Sequence, residues 1–216
     1  MMENRKPFSL KTTLFYWNGA LAIFSILGLI RFGEDFLQSL YKHGFYRSVC
    51  YSCHPNDVAA FWSFLFAISK IVELGDTMFI VLRKKPLIFL HYYHHAAVLI
   101  YTIHSGAEHT APGRAFIFMN YLAHSAMYSY YAIVAYGLRL PKWVSMAVTT
   151  IQTTQMLAGV CVTYAVYRIK TETNLPCQQS MVNLYLAFII YATFAALFLH
   201  FFYRAYIVKS RKSKAE

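Results

Sequence analysis

Six apolar stretches, roughly residues 12–30, 59–82, 87–104, 115–136, 143–167 and 181–208, alternate with polar connections along this 216-residue chain. The hydrocarbon core of a bilayer is crossed by about 20 apolar residues of helix. The third stretch is at the short end of that range, and the last is long enough to tilt or to project beyond the bilayer. The pattern predicts an all-α fold, a polytopic membrane bundle of six spans forming one domain over residues 1–216. Nothing reads as a long linker, a low-complexity segment or a solenoid repeat. The first stretch is too long for a cleaved signal peptide and lacks a small-residue cleavage site.

Composition agrees. The chain is 58% hydrophobic and 13% charged, whereas soluble domains run to about 45–50% and about 25%. A net charge of +11 suits a nucleic-acid binder in the abstract, but the positions of the cations argue otherwise. Thirteen lysines and arginines fall on one side of an alternating six-span arrangement and six on the other, with Lys70 inside a span. Positive residues favour the cytoplasmic side, so both termini are expected in the cytosol and no nucleic-acid partner is implied. The ending Lys212-Ser213-Lys214-Ala215-Glu216 fits a dilysine retrieval signal of the endoplasmic reticulum. Residues 209–216 fit equally a basic tail drawn to anionic lipid.

Cys50, Cys53 and Cys177 fall in connections assigned to the lumen, where disulfides persist. A Cys50–Cys177 bridge is expected, with Cys53 as the competing partner. Cys50-x-x-Cys53 alone is a weak redox or zinc signal. Cys161 lies within a span.

Polar residues at membrane depth are costly and usually face a bundle interior. Residues three and four apart share a helix face, which stacks His91, His94 and His95 in the third stretch. Lys70, Glu73 and Asp76 form one stripe in the second, read either as a self-neutralising network or as part of a site. The fourth stretch carries Asn120, His124, Met127, Tyr128 and Tyr131, and the fifth carries Thr149, Gln152 and Gln155. Amides at Gln152 and Gln155 serve as interhelical bridges or as donors to a substrate carbonyl. Together these stripes predict a polar chamber enclosed by the helices, suited to a ligand with a polar head and a long apolar tail.

Two chemistries compete for the histidines. A diiron desaturase or hydroxylase uses several histidine boxes, and only one His-x-x-His-His string occurs among the nine histidines here. Alternatively, imidazole acts as a nucleophile and forms an acyl intermediate, with Asn120 or Gln152 as oxyanion donors. The second uses the whole polar lining and requires no metal ligand.

At these residues the chain resembles the very-long-chain fatty acid elongases of the endoplasmic reticulum. The resemblance rests on Lys70-x-x-Glu73-x-x-Asp76-Thr77, His91-x-x-His94-His95, His124-x-x-Met127-Tyr128-x-Tyr130-Tyr131 and Thr149-x-x-Gln152-x-x-Gln155, in the family's order and over almost the entire chain. Residues 87–91 and the Lys214-Ala215-Glu216 ending are most similar to the branch acting on saturated and monounsaturated chains. The polyunsaturated branch has glutamine where Pro86 stands. The resemblance implies a 3-ketoacyl-CoA synthase that condenses acyl-CoA with malonyl-CoA, without metal or redox cofactor. It implies His94 as the acyl acceptor, His124 as the residue assisting decarboxylation, and His91 and His95 as neighbours shaping the ring environment. Substrate contacts are expected from Lys70, Glu73, Asp76, Asn120, Tyr128, Tyr131, Gln152 and Gln155. Arg83, Lys84 and Lys85 are placed to meet CoA phosphates, although a positive-inside signal explains them equally. Expected partners are membrane lipid, the reductases and dehydratase of the elongation cycle, and a second copy of the chain. Family members have seven spans; this chain reads as six, beginning just before the second. A non-catalytic acyl-CoA-binding protein is the remaining alternative.

Overall fold

Every proline of the chain lies in a connection or at a helix start, at positions 7, 55, 86, 112, 141 and 176. Proline inside a helix removes a hydrogen bond and clashes with the preceding turn, so these positions divide the chain into its helices. The computed structural model describes residues 6–208. Its elements are α1 (Lys11–Cys50), α2 (Val58–Val72), α3 (Leu74–Leu82), α4 (Phe89–Ala107), α5 (Gly113–Tyr136), α6 (Lys142–Glu172) and α7 (Met181–Phe202), followed by a π-helical segment, Tyr203–Val208. Among the described residues there is no strand. The basic ending at 209–216 lies outside them.

Three boundaries differ from the hydropathy pattern. The first helix continues well past residue 30 to Cys50, bending at Gly44, whose φ of 76° is left-handed; glycine adopts that conformation without steric cost. Arg31, Lys42 and Arg47, which lie between the first two apolar stretches, therefore sit on helix. The second stretch is broken at Glu73 into α2 and α3, which turns the acidic side chain inward at the break. The last stretch ends as α-helix at Phe202, and its final turns widen into the π segment.

Only α1 and the continuous stretch Met181–Val208 are long and apolar enough to cross a membrane by length and composition alone among the described residues. Polar residues that line the interior lower the hydropathy of α4, α5 and α6, and the break at Glu73 shortens α2 and α3.

The helices pack in a circuit. α1 contacts α2 and α5, α5 contacts α6, α6 contacts α7, α7 contacts α4, and α4 returns to α2. Aromatic side chains seal the α1–α2–α5 sector. Phe24, Phe32, Trp62 and Phe66 surround Tyr121, whose hydroxyl donates to the Trp62 carbonyl at 2.9 Å. Gly28 makes room for that ring, because a Cβ there would meet it.

At one end of the bundle, a disulfide joins Cys50 to Cys177, and Gln178 N–H donates to the Cys50 carbonyl at 3.0 Å. The same end holds Arg114, buried and bonded to Asp35 Oδ2 at 2.5 Å, to Ser39 and to the Tyr51 carbonyl. Cys53 is left as a free thiol. Burial pushes its pKa above the usual range, while the nearby Arg114 guanidinium opposes the shift.

Candidate active site

Two cavities lie between the helices, of about 1020 Å³ and about 600 Å³. The larger extends toward the disulfide end, reaching Cys53, Thr110 and Gln178. The smaller extends the other way, to Lys11, Arg83 and Gly137. Four residues line both: His94, Asn120, Gln155 and Met156.

The histidine motif sits on the first turns of α4, a helix on which no residue is fully buried, because its inner face borders the cavities. The i, i+4 relation brings the His91 and His95 ring centroids to 4.5 Å, and His94 and His95 lie 5.4 Å apart. His91 Nε2 is 3.1 Å from Thr77 Oγ1 on α3. The His94 ring is packed instead by α7, with Phe194 at 4.9 Å and Phe198 at 6.2 Å between centroids. All three motif histidines and His124 line the smaller cavity, and only His94 of the four also lines the larger.

Behind this wall stands a buried polar cluster. Lys70 Nζ donates to Glu73 Oε1 at 2.8 Å and to Asn120 Oδ1 at 2.8 Å. Ser69 Oγ donates to the same Glu73 oxygen at 3.1 Å, and His124 Nδ1 lies 3.5 Å from it. Both members of the Lys70–Glu73 pair are buried, and neither lines a cavity. Both stand behind residues of the wall, Lys70 bonded to Asn120 and Glu73 beside His124. A buried ion pair of this kind offsets its own desolvation only with further hydrogen bonds, which Ser69 and Asn120 supply.

Asp76 is held separately. Trp17 Nε1 donates to one carboxylate oxygen and Tyr128 OH to the other, each at 2.7 Å. Asp76, Tyr128, Tyr131 and Gln152 line the smaller cavity along with Arg83. Gln152 Nε2 donates to Met127 Sδ at 3.0 Å, while Gln155 reaches the wall common to both cavities. Lys84 and Lys85 follow Arg83 in the same connection and line neither of these two cavities.

Several residues at or beside the cavities carry no signal in the polar stripes. Phe194 and Met156 are apolar residues on apolar helices, indistinguishable in sequence from lipid-facing neighbours. Lys11 reads as a juxtamembrane cation. Trp17 reaches Asp76 only because Gly75 is beside it: a Cβ at Gly75 would lie 2.6 Å from the indole.

Chemically, the wall offers an imidazole at the meeting of two cavities, amide side chains, and a second histidine backed by a carboxylate. Among the described residues, no three His, Cys, Asp or Glu side chains are grouped to hold a metal ion.

A family profile described as "ELO: GNS1/SUR4 family" matches residues 1–214. The chain is 72% identical over 215 residues to the Caenorhabditis elegans protein named "Putative fatty acid elongase 4", covering 99% of this chain and 74% of that one. It is 51% identical over 214 residues to the "Putative fatty acid elongase 3" of the same organism, covering 98% and 67%. Against "Very long chain fatty acid elongase 6" of Mus musculus the identity is 42% over 218 residues, covering 100% and 82%.

Proposed function

The chain belongs to the ELO: GNS1/SUR4 family, and from that premise we propose that it is a fatty acid elongase, condensing a long-chain acyl-CoA with malonyl-CoA to a 3-ketoacyl-CoA. The observation that carries the reading is the wall common to both cavities, where His94 stands with Asn120 and Gln155. The larger cavity, walled by Phe66, Val98, Ile117, Tyr191 and Phe194, suits an acyl tail. The smaller, with Lys11 and Arg83 at its end, suits the phosphates of CoA. A thioester spanning the two has its carbonyl beside His94.

In the first step, a ring nitrogen of His94 attacks that carbonyl. The C–S bond breaks, and CoA leaves as the thiol with the proton that the ring releases. Splitting the reaction through an acyl-imidazole replaces one hard step by two easier ones. In the second step, malonyl-CoA occupies the smaller cavity and loses carbon dioxide. The electron pair of the broken C–C bond forms an enolate, whose α-carbon attacks the acyl carbonyl. The C–N bond then breaks, and the ring takes up a proton. The 3-ketoacyl-CoA is two carbons longer. His124, backed by Glu73, assists decarboxylation; His91 and His95 shape the cavity around the His94 ring. Asn120 donates to the carbonyl oxygen as charge develops on it. The reaction as written needs no metal or redox cofactor.

The same reading extends to the whole chain. It is one integral membrane domain with six spans around an enclosed chamber, resident in the endoplasmic reticulum, with both termini in the cytosol and the disulfide end in the lumen. Its product passes to the reductases and dehydratase that complete a two-carbon cycle, and copies of the chain associate in the membrane.

Mass spectrometry of purified protein after a single turnover tests the mechanism. A saturated long-chain acyl-CoA without malonyl-CoA should leave an acyl adduct and release free CoA, and His94→Ala should do neither. Well-folded wild-type protein that forms no adduct and releases no CoA refutes the acyl-histidine. Iron bound stoichiometrically to the same sample would favour the diiron alternative.

A further inference from the structure

We infer that Lys70 is a positioning residue for this reaction, fixing the side-chain amide of Asn120 so that its N–H donors, and not its oxygen, face the common wall beside His94. The inference rests on the condensing reaction proposed above and adds a residue that touches neither cavity.

An ammonium group has three donors and no acceptor. Whatever stands against Lys70 Nζ must therefore present an acceptor or a π face. The structure gives it three neighbours: Glu73 Oε1 at 2.8 Å, Asn120 Oδ1 at 2.8 Å and the Phe66 ring, whose centroid is 4.2 Å away. Together these can engage all three donors. Lys70 is 3% exposed, so water does not compete for them.

For Asn120 the consequence is directional. Its amide has an acceptor end and a donor end. With the oxygen held by Lys70, the NH₂ group is turned to the opposite side, and Asn120 contributes to the lining of both cavities. An amide left to rotate would present its oxygen to the site half the time, repelling a developing oxyanion. Gln152 commits one of its two Nε2 hydrogens to Met127 Sδ and lines only the smaller cavity, away from the wall that His94 and Asn120 share. Lys70 thus acts through Asn120, while Glu73 neutralises the charge that makes this orientation compulsory.

Removing Lys70 alone would strand the Glu73 carboxylate in the interior and endanger folding. The test therefore uses Glu73→Gln, which removes that charge while its amide oxygen remains an acceptor for the Lys70 ammonium, and the Lys70→Met comparison is read only between proteins that keep their fold. Four proteins are compared: Glu73→Gln, Lys70→Met/Glu73→Gln, Asn120→Ala/Glu73→Gln and the triple variant. Each is checked for monodispersity and melting temperature, then assayed for malonyl-dependent 3-ketoacyl-CoA formation with kcat and KM resolved. Loss of one oxyanion donor typically lowers kcat about 10²–10³-fold. Asn120→Ala should lose that factor, while Lys70→Met, which frees the amide without removing it, should lower kcat by about 2-fold or more and by no more than the Asn120→Ala step, with KM little changed, and should cost nothing further once Asn120 is alanine.

If the Lys70→Met step costs the same with Asn120 present or absent, Lys70 does not act through Asn120 and the inference is overturned. It is equally overturned if the step moves only the melting temperature. Failure of the condensing reaction itself would show differently, as absence of 3-ketoacyl-CoA from wild-type protein.

Discussion

Trp17 and Asp76 are 59 positions apart in the chain, yet the indole N–H donates to the carboxylate at 2.7 Å. The bond ties α1 to α3 one residue before Thr77, whose hydroxyl is 3.1 Å from His91. Tyr128 on α5 donates to the other oxygen of Asp76, so one side chain anchors three helices at the edge of the site. Asp76→Asn would turn an NH₂ donor toward either the indole N–H or the phenol. Leaving a buried donor unsatisfied costs about 1–3 kcal/mol, and a thermal melt in detergent should show a loss of that order.

Thr77→Val removes the His91 contact and little volume. A neutral hydrogen bond contributes about 0.5–1.5 kcal/mol net, so turnover should fall by about 2- to 10-fold if His91 orientation matters to the site. An unchanged elongation rate in the valine variant would remove Thr77 from the working set.

The Cys50–Cys177 disulfide joins residues 127 apart in sequence. Disulfides commonly contribute about 2–4 kcal/mol. Cys177→Ser should lower the melting temperature accordingly, and the wild type should lose the same stability on reduction. Equal melting of oxidised and reduced protein would contradict a stabilising bridge.

Cys53 carries a thiol pKa raised by burial, so at a given pH it holds less of the reactive thiolate than an ordinary cysteine. Thiolate is the species that alkylates. Labelling of Cys53 with iodoacetamide should thus be slow near neutrality. It should continue to accelerate at pH values where a model peptide thiol has already levelled off. Rate profiles of the two, measured side by side by peptide mass mapping, decide the point.

Gly159 on α6 faces the Tyr191 ring of α7, and a Cβ there would overlap it. Tyr191 also lines the larger cavity and lies 4.6 Å from the Phe116 centroid. Gly159→Ala must part the helices or tip the ring into the cavity. Overpacking of this kind costs about 1–3 kcal/mol. Products of the variant should shift toward shorter acyl chains, which chromatography of the 3-ketoacyl products from mixed substrates would reveal.

Much of this architecture is legible in the sequence. The alternation of apolar stretches and polar connections dictated helices, because a chain in lipid must satisfy its own backbone hydrogen bonds. Helical periodicity then put His91, His94 and His95 on one face, since three- and four-residue spacings recur on the same side of a helix whatever surrounds it. What lay beyond a single helix was decided by packing. Periodicity assigned Lys70 and Glu73 to an inward stripe but could not tell a cavity wall from the layer behind it. The break at Glu73 and the approach of α5 put these two behind Asn120 and His124. Nor does spacing within α4 distinguish His94 from its neighbours. Its place between two cavities follows from the rings of Phe194 and Phe198 on α7 and from Asn120 on α5, all distant in sequence. Local chemistry thus determined which side chains face inward, and only the meeting of separate helices determined which of them share one space.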